Sequence, residues 1–98
     1  MKVNFNTVHF KADKKLIDFI TDKIEKTSDR YDGIIGSDVT LKLNNNEGLE
    51  NKIVEIRIII RGYDLFAKKQ NKTFEEATDN ALEAIKKQLK KHKEKLRQ

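Results

Sequence analysis

Two histidines and a crowd of lysines have the most chemical reach in this sequence, and they point to different chemistries. Nucleophilic catalysis needs a Ser, Thr or Cys held beside a base. His9 ends a predicted strand and His92 lies near the end of a predicted helix, with no nucleophile in a recognisable spacing to either. Two histidines without a single cysteine also fall short of a zinc site. His92 shares a helical face with Ile85, Leu89 and Leu96, which gives it a packing or capping role. The four glycines, Gly33, Gly36, Gly48 and Gly62, are scattered at turns and form no phosphate-binding loop. The adjacent carboxylates Glu75 and Glu76 sit in a first helical turn, where the helix dipole already accounts for them. No catalytic residue, metal site, cofactor or small-molecule substrate is expected, and the chain is read as a binding protein rather than an enzyme.

The lysines are more informative. From Lys86 to Gln98 there are seven basic residues, Lys86, Lys87, Lys90, Lys91, Lys93, Lys95 and Arg97, against one acid, Glu94. That excess of six exceeds the net charge of the whole chain, +5. The preceding segment, Thr73 to Ile85, carries Glu75, Glu76, Asp79 and Glu83 and no base. Acid early and base late is what a helix dipole favours, and Glu83 to Lys87 is a helpful i,i+4 spacing. A dipole is complemented by two or three cations within its last turn, however, and seven in thirteen positions repel one another unless an anion lies nearby. At about 100° per residue, Lys86, Lys90, Lys93 and Arg97 make one line and Lys87 and Lys91 a second. An earlier segment adds Lys14, Lys15, Lys23, Lys26 and Arg30. Together these describe a basic ridge suited to a phosphate backbone.

The elements that must position this ridge are legible from periodicity. Lys2 to His9 alternates, with Val3 and Phe5 on one side and Asn4 and Asn6 on the other. Asp13 is an N-cap, and Leu16, Phe19, Ile20 and Ile24 follow helical spacing that fades between Asp29 and Gly33. A second strand over about Ile35 to Leu43 runs into the polar loop Asn44-Asn45-Asn46-Glu47-Gly48. The strongest strand signal is Ile53 to Arg61, with Val54, Ile56, Ile58 and Ile60 on its core face and Glu55, Arg57 and Ile59 on the other. Gly62 with Tyr63 and Asp64 makes a tight connection to a fourth strand, about Leu65 to Gln70. Thr73-Phe74-Glu75-Glu76 matches a capping box, and the helix it opens buries Phe74, Thr78, Ala81, Leu82, Ile85, Leu89, His92 and Leu96.

The predicted fold is therefore α+β, a β-α-β-β-β-α two-layer sandwich with a four-stranded mixed sheet and two helices on one face. The strands flanking the first helix should be parallel. Ninety-eight residues suit one domain with one modest core, since a chain of this size buries only about 60–65% of its unfolded surface. The lack of cysteine fits a reducing compartment and no apolar run reaches membrane-spanning length, so a cytoplasmic protein without a membrane partner is expected. RNA is favoured over DNA, because no helix-turn-helix, finger spacing or basic zipper is present. The sheet has too few aromatic residues to stack bases, with Phe66 the only candidate on its strands.

Assembled in this order, the residues resemble the bacterial ribosome hibernation promoting factor and ribosome-associated inhibitor family, also called sigma-54 modulation proteins. Lys86-Lys87-Gln88-Leu89-Lys90-Lys91-His92-Lys93-Glu94-Lys95-Leu96 is similar to the family's Gln-Leu-x-Lys-His-Lys-x-Lys-Leu ending. Asp79, seven residues before Lys86, and Lys23-Ile24-Glu25-Lys26 followed by Tyr31-Asp32 also match its pattern, so that nearly the whole chain is covered. The resemblance implies a fold similar to double-stranded RNA-binding domains. It also implies binding to ribosomal RNA of the small ribosomal subunit, in the channel where messenger and transfer RNAs sit, with translation inhibited in stationary or starved cells. It leaves room for a second small hibernation factor as a further partner. The RNA-binding residues expected on this reading are Lys23, Lys26, Lys86, Lys87, Lys90, Lys91, Lys93 and Lys95. One departure is Ala84, where the family usually has a basic residue. Longer relatives add a C-terminal dimerisation domain or an acidic tail, and a chain ending at Gln98 looks like the short form, a single ribosome-binding domain. Two other readings compete: a module using the basic helix against an acidic protein such as a sigma factor, and a binder of free double-stranded RNA.

Overall fold

The computed structural model describes residues 2–44 and 48–96, the last two as helix backbone alone. Six elements follow one another: β1 (Lys2–Val8), α1 (Lys14–Ser28), β2 (Ile34–Leu43), β3 (Lys52–Ile60), β4 (Tyr63–Asn71) and α2 (Phe74–Leu96). The strands lie side by side in chain order, β1 parallel to β2 and the other pairs antiparallel. The α+β fold, the mixed four-stranded sheet and the parallel first pair are those expected from periodicity. Three predicted details lie outside the described residues: the loop positions Asn45, Asn46 and Glu47, the side chains of Lys95 and Leu96, and Arg97.

Strand alternation separates the two faces of the sheet. Val39, Leu41, Val54, Ile56 and Ile58 are essentially without solvent exposure and form one cluster with Leu65 and Ala67. Ile20 and Ile24 of α1 and Ala77, Ala81, Leu82, Ile85 and Leu89 of α2 close the cluster from above. Each fully buried Val, Leu or Ile contributes about 1.5–3 kcal/mol of transfer free energy, so this single layer of contacts holds both helices down. Across the register, Asn4, Asp38, Arg57 and Phe66 make a row on the opposite, open face.

The helices run in the same sense. Phe10 stacks on Phe74 at their N-terminal ends, with ring centroids 4.8 Å apart. Lys23 meets Asp79 midway, and Arg30 and Tyr31, just beyond α1, lie opposite Leu89 and Lys93. Asp13 caps α1 as its position predicts, accepting a 2.8 Å bond from the Leu16 N–H. The capping box of α2 is only half as expected. Thr73 Oγ1 accepts from the Glu76 N–H at 3.0 Å, but the Glu76 carboxylate accepts from Asn71 Nδ2 at 3.0 Å. Asn71 ends β4, so the folded chain brings it a neighbouring donor that helix spacing alone does not reveal.

Two turns differ from expectation in position. The β3–β4 connection is Arg61-Gly62, with Gly62 at φ 94°, and Tyr63 already pairs with Ile60. β2 begins at Ile34, and the register shift between Ile34 and Gly36 leaves Ile35 as an extra residue that stands 61% exposed. Of the predicted α2 stripe, Phe74, Thr78, Ala81, Leu82, Ile85 and Leu89 are buried and His92 is half-buried, and the structure adds Ala77, fully buried.

Two substitutions test this packing in opposite directions. Ser37 is fully buried and its hydroxyl has no hydrogen-bond partner among the described residues, so Ser37→Ala should stabilise the fold by about 1 kcal/mol. Ala81→Leu forces three extra carbons between α2 and the sheet and should cost about 1–3 kcal/mol. Urea unfolding followed by circular dichroism measures both; a destabilised Ser37→Ala would show that the hydroxyl has a partner after all.

Candidate nucleic-acid interface

The seat of α2 decides where each lysine goes. With the Ala77–Leu89 stripe against the sheet, Lys86 turns toward α1 and Lys87 toward the free edge of β4. Gln88, next to Lys87 in sequence, donates from Nε2 to the Phe66 carbonyl oxygen of β4 at 2.9 Å. The two predicted lysine lines thus flank the helix, one facing its partner helix and one facing the sheet edge.

On the α1 side, Lys23, Lys26, Arg30 and Lys86 line a cleft of about 440 Å³ together with Asp79 and Glu83. Lys23 pairs with Asp79 at 3.5 Å and lies 5.4 Å from the centre of the Phe19 ring. Lys26 pairs with Asp22 at 3.1 Å, and Lys86 with Glu83 at 3.5 Å. The Glu83 partner is therefore the i+3 lysine rather than the expected Lys87. All of these pairs are solvent-exposed, where an ion pair contributes about 0–1 kcal/mol, so they orient the lysines without locking them.

On the β4 side, Lys87 and Lys69 line a second cleft of about 340 Å³ with Asn71, Asn80 and Ala84. Asn80 donates to Asn71 Oδ1 at 3.2 Å, which ties α2 to the end of β4. Ala84 is half-buried and packs against the core, so its departure from the family pattern leaves the cations of this cleft to Lys69 and Lys87. Lys90, Lys91 and Lys93 are exposed further along the helix. Among the described residues, Arg30, Lys87, Lys90, Lys91 and Lys93 have no carboxylate within salt-bridge distance. Of the eight expected binding lysines, seven are described: Lys23, Lys26 and Lys86 share the interhelical cleft, Lys87 lines the other, and Lys90, Lys91 and Lys93 continue along α2. Lys95 has no described side chain.

The open face of the sheet is different in kind. Asn4 donates to Asp38 at 3.0 Å, Arg57 pairs with Asp64 at 3.4 Å, and Lys42 and Lys68 reach Glu55 at 2.8 and 4.0 Å. Phe66, 42% exposed, carries the Arg57 guanidinium 5.1 Å from its ring centre. Charge on this face is largely matched internally. His92 packs as predicted, its ring 4.0 Å from that of Tyr63. No group of three metal-ligating side chains exists among the described residues, and no helix among them is long and apolar enough to cross a membrane.

Periodicity missed Lys69 and Arg61. Both stand outside the helices, and only the strand register shows that they border α2 and its C-terminal half. The one signal for Arg61 in the sequence is its place beside Gly62 in a short inter-strand connection.

Comparison with known proteins bears on the family and the fold. The family model described as sigma 54 modulation protein / S30EA ribosomal protein matches residues 3–97. Two ribosome hibernation promoting factors from Pseudomonas putida are each 30% identical over 95 residues, covering 97% of this chain and 89% of theirs. A ribosomal subunit interface protein from Coxiella burnetii superposes with a TM-score of 0.84 at 17% identity, over 95% of this chain and 98% of that one. The N-terminal domain of Protein Y from Thermus thermophilus gives 0.76 at 18% identity, over 93% and 94%. These two structures share the fold.

Glu83 borders both clefts, so it is the residue whose charge opposes an arriving anion most directly. Glu83→Gln should tighten binding to a polyanion such as heparin by about two- to fivefold at ~50 mM salt, roughly 0.4–1 kcal/mol. Folding stability should change by less than ~0.5 kcal/mol. Weaker heparin binding would mean instead that Glu83 serves the site by holding Lys86 in place.

Proposed function

The chain belongs to the sigma 54 modulation protein / S30EA ribosomal protein family, and on that footing we propose that it is a ribosome hibernation factor acting in the cytoplasm. It inhibits translation by occupying the small ribosomal subunit at the decoding channel, without catalysis and with ribosomal RNA as its ligand. The observation that carries this reading is the run of cations on α2 and its neighbour Arg30 that have no ion-pair partner among the described residues. Five charged side chains along one helix and its neighbour, none with a carboxylate within salt-bridge distance among the described residues, repel one another until an anion arrives. A phosphate backbone supplies such an anion along a line, which suits a helix with a lysine row on each flank.

Lys23, Lys26 and Lys86 belong to the same surface and exchange their local carboxylates for phosphate on binding. Lys95 continues the run by sequence. The open face of the sheet contributes little, since it already matches its own charges. A second small hibernation factor is compatible with this arrangement, because the open face stays free when the helices meet RNA.

Co-sedimentation with purified ribosomes tests the proposal, and salt tests its mechanism. If about five phosphates are neutralised, raising salt from about 50 to about 200 mM at constant magnesium weakens binding about 100- to 500-fold. Lys87→Gln with Lys91→Gln should flatten the slope by about two contacts' worth. Lys68→Gln, on the opposite face, should leave it unchanged. The triple variant Lys86→Glu, Lys90→Glu, Lys93→Glu should abolish pelleting while its circular dichroism stays helical. Salt-insensitive binding would point to protein contacts, and equal affinity for plain duplex RNA would favour a free double-stranded RNA binder.

A further inference from the structure

Where the C-terminal half of α2 passes the end of α1, three cations converge from three separate elements. Arg30 follows α1, Arg61 occupies the β3–β4 turn and Lys93 belongs to α2, and they line a cavity of about 290 Å³. All three are exposed, and none pairs with a carboxylate among the described residues. Asp32 is the one acid in the lining. The backbone fixes two of these positions closely. The Arg30 and Tyr31 N–H groups donate to Thr27 and Ser28 carbonyl oxygens at 3.2 Å, and Arg61 sits in a two-residue turn between the paired residues Ile60 and Tyr63.

What separates this cavity from the clefts flanking α2 is its apolar and aromatic lining. Ile60 and Leu89 contribute to its wall, and so do Tyr31 and His92. The flanking clefts have no aromatic side chain in their linings. His92 is held from behind by the Tyr63 ring, tilted 46° to it. The Tyr63 hydroxyl is buried without a hydrogen-bond partner among the described residues, and burial pushes its pKa up, so it stays neutral and adds no competing charge. Phosphate alone has no use for the aromatic walls, and an apolar ligand has no use for three cations. A nucleotide uses both.

We propose that this cavity receives one unstacked nucleotide of the bound RNA, its base against Tyr31 and His92 and its phosphate on Arg30, Arg61 and Lys93. Asp32 supplies an acceptor for a ribose hydroxyl or an exocyclic amine. This rests on the RNA-binding reading above and adds a local element to it: the flanks of α2 follow backbone charge, whereas the cavity selects an unpaired position. Unstacked bases on aromatic side chains are a common route to RNA recognition, each worth about 1–3 kcal/mol.

The experiment is an NMR titration of the whole chain at constant ionic strength with adenosine or uridine 5′-monophosphate, ribose 5-phosphate and inorganic phosphate. A nucleoside monophosphate should bind with a Kd on the order of 1 mM, perturbing Tyr31, Arg61 and His92, and ribose 5-phosphate about tenfold more weakly. Tyr31→Leu should erase that difference. Arg61→Gln should weaken nucleotide binding about fivefold or more, and Lys68→Gln, which removes the same charge elsewhere, should not. Equal binding of all three ligands would overturn the proposal, leaving an anion site only, and so would shifts spread along α2. If the cavity fails these tests while the wild type still pellets with ribosomes, the cavity proposal falls and the ribosomal reading stands. Nucleotide binding by a protein that does not pellet would sink the ribosomal reading and leave the cavity in place.

Discussion

Two alanines set how close α2 can come to the sheet. Ala77 and Ala81 are fully buried, and Thr78 beside them satisfies its hydroxyl by donating to the Phe74 carbonyl oxygen at 2.7 Å within the helix. Small side chains here let the helix backbone sink onto β3 and β4, while Leu82, Ile85 and Leu89 complete the same core cluster with Ile20 and Ile24 of α1. Close-packed interiors tolerate little change in such a seat, so the rotation of α2 about its axis is fixed by the core. That rotation sends Lys86 to one flank and Lys87 to the other. The surface chemistry is a consequence of the packing beneath it.

The same seat protects the sheet. β4 is an edge strand, and an open edge invites pairing with another chain. Gln88 reaches over it to the Phe66 carbonyl, and Asn80 holds Asn71 at its end. Edge protection and ion placement therefore share one helix. Charge is divided just as sharply between the faces. On the open face, acids and bases pair across neighbouring strands, and in the first half of α2 Glu75 and Glu76 meet the positive end of the dipole while Asp79 and Glu83 pair with Lys23 and Lys86. Along its second half the cations outnumber what the dipole can use. A surface whose charges are matched gains little from an incoming polyanion, and an unmatched one gains at every contact.

The legibility of each feature in the sequence depends on what its signal measures. Helical periodicity reports the buried stripe because Leu82, Ile85 and Leu89 carry strong apolar weight, whereas Ala77 carries little and does not stand out. The Thr73 cap depends only on its own helix and is legible; the Glu76 partner, Asn71, sits on a strand and is not. Spacing on the helix shows that the lysines fall in two lines, yet not which neighbour each line faces, because that depends on the parallel packing of α1 and on the register of β4. Arg61 and Lys69 are invisible as site residues for the same reason. Both enter through tertiary proximity, Arg61 from a turn and Lys69 from a strand.

Ala84 illustrates the difference between a surface built from one helix and a surface built from several elements. A family pattern expects a basic residue there, and its absence in a single-helix view subtracts one contact. In the folded chain Ala84 is half-buried against the core, and the cleft it borders already holds Lys87 from the helix and Lys69 from β4. Charge at this flank is supplied across the helix–strand junction rather than along the helix alone. Anchoring that depends on two elements also depends on their relative position, which the Gln88 and Asn80 hydrogen bonds fix. With alanine at this position, the positive charge of the cleft depends on α2 lying against β4, because Lys87 and Lys69 reach it from different elements.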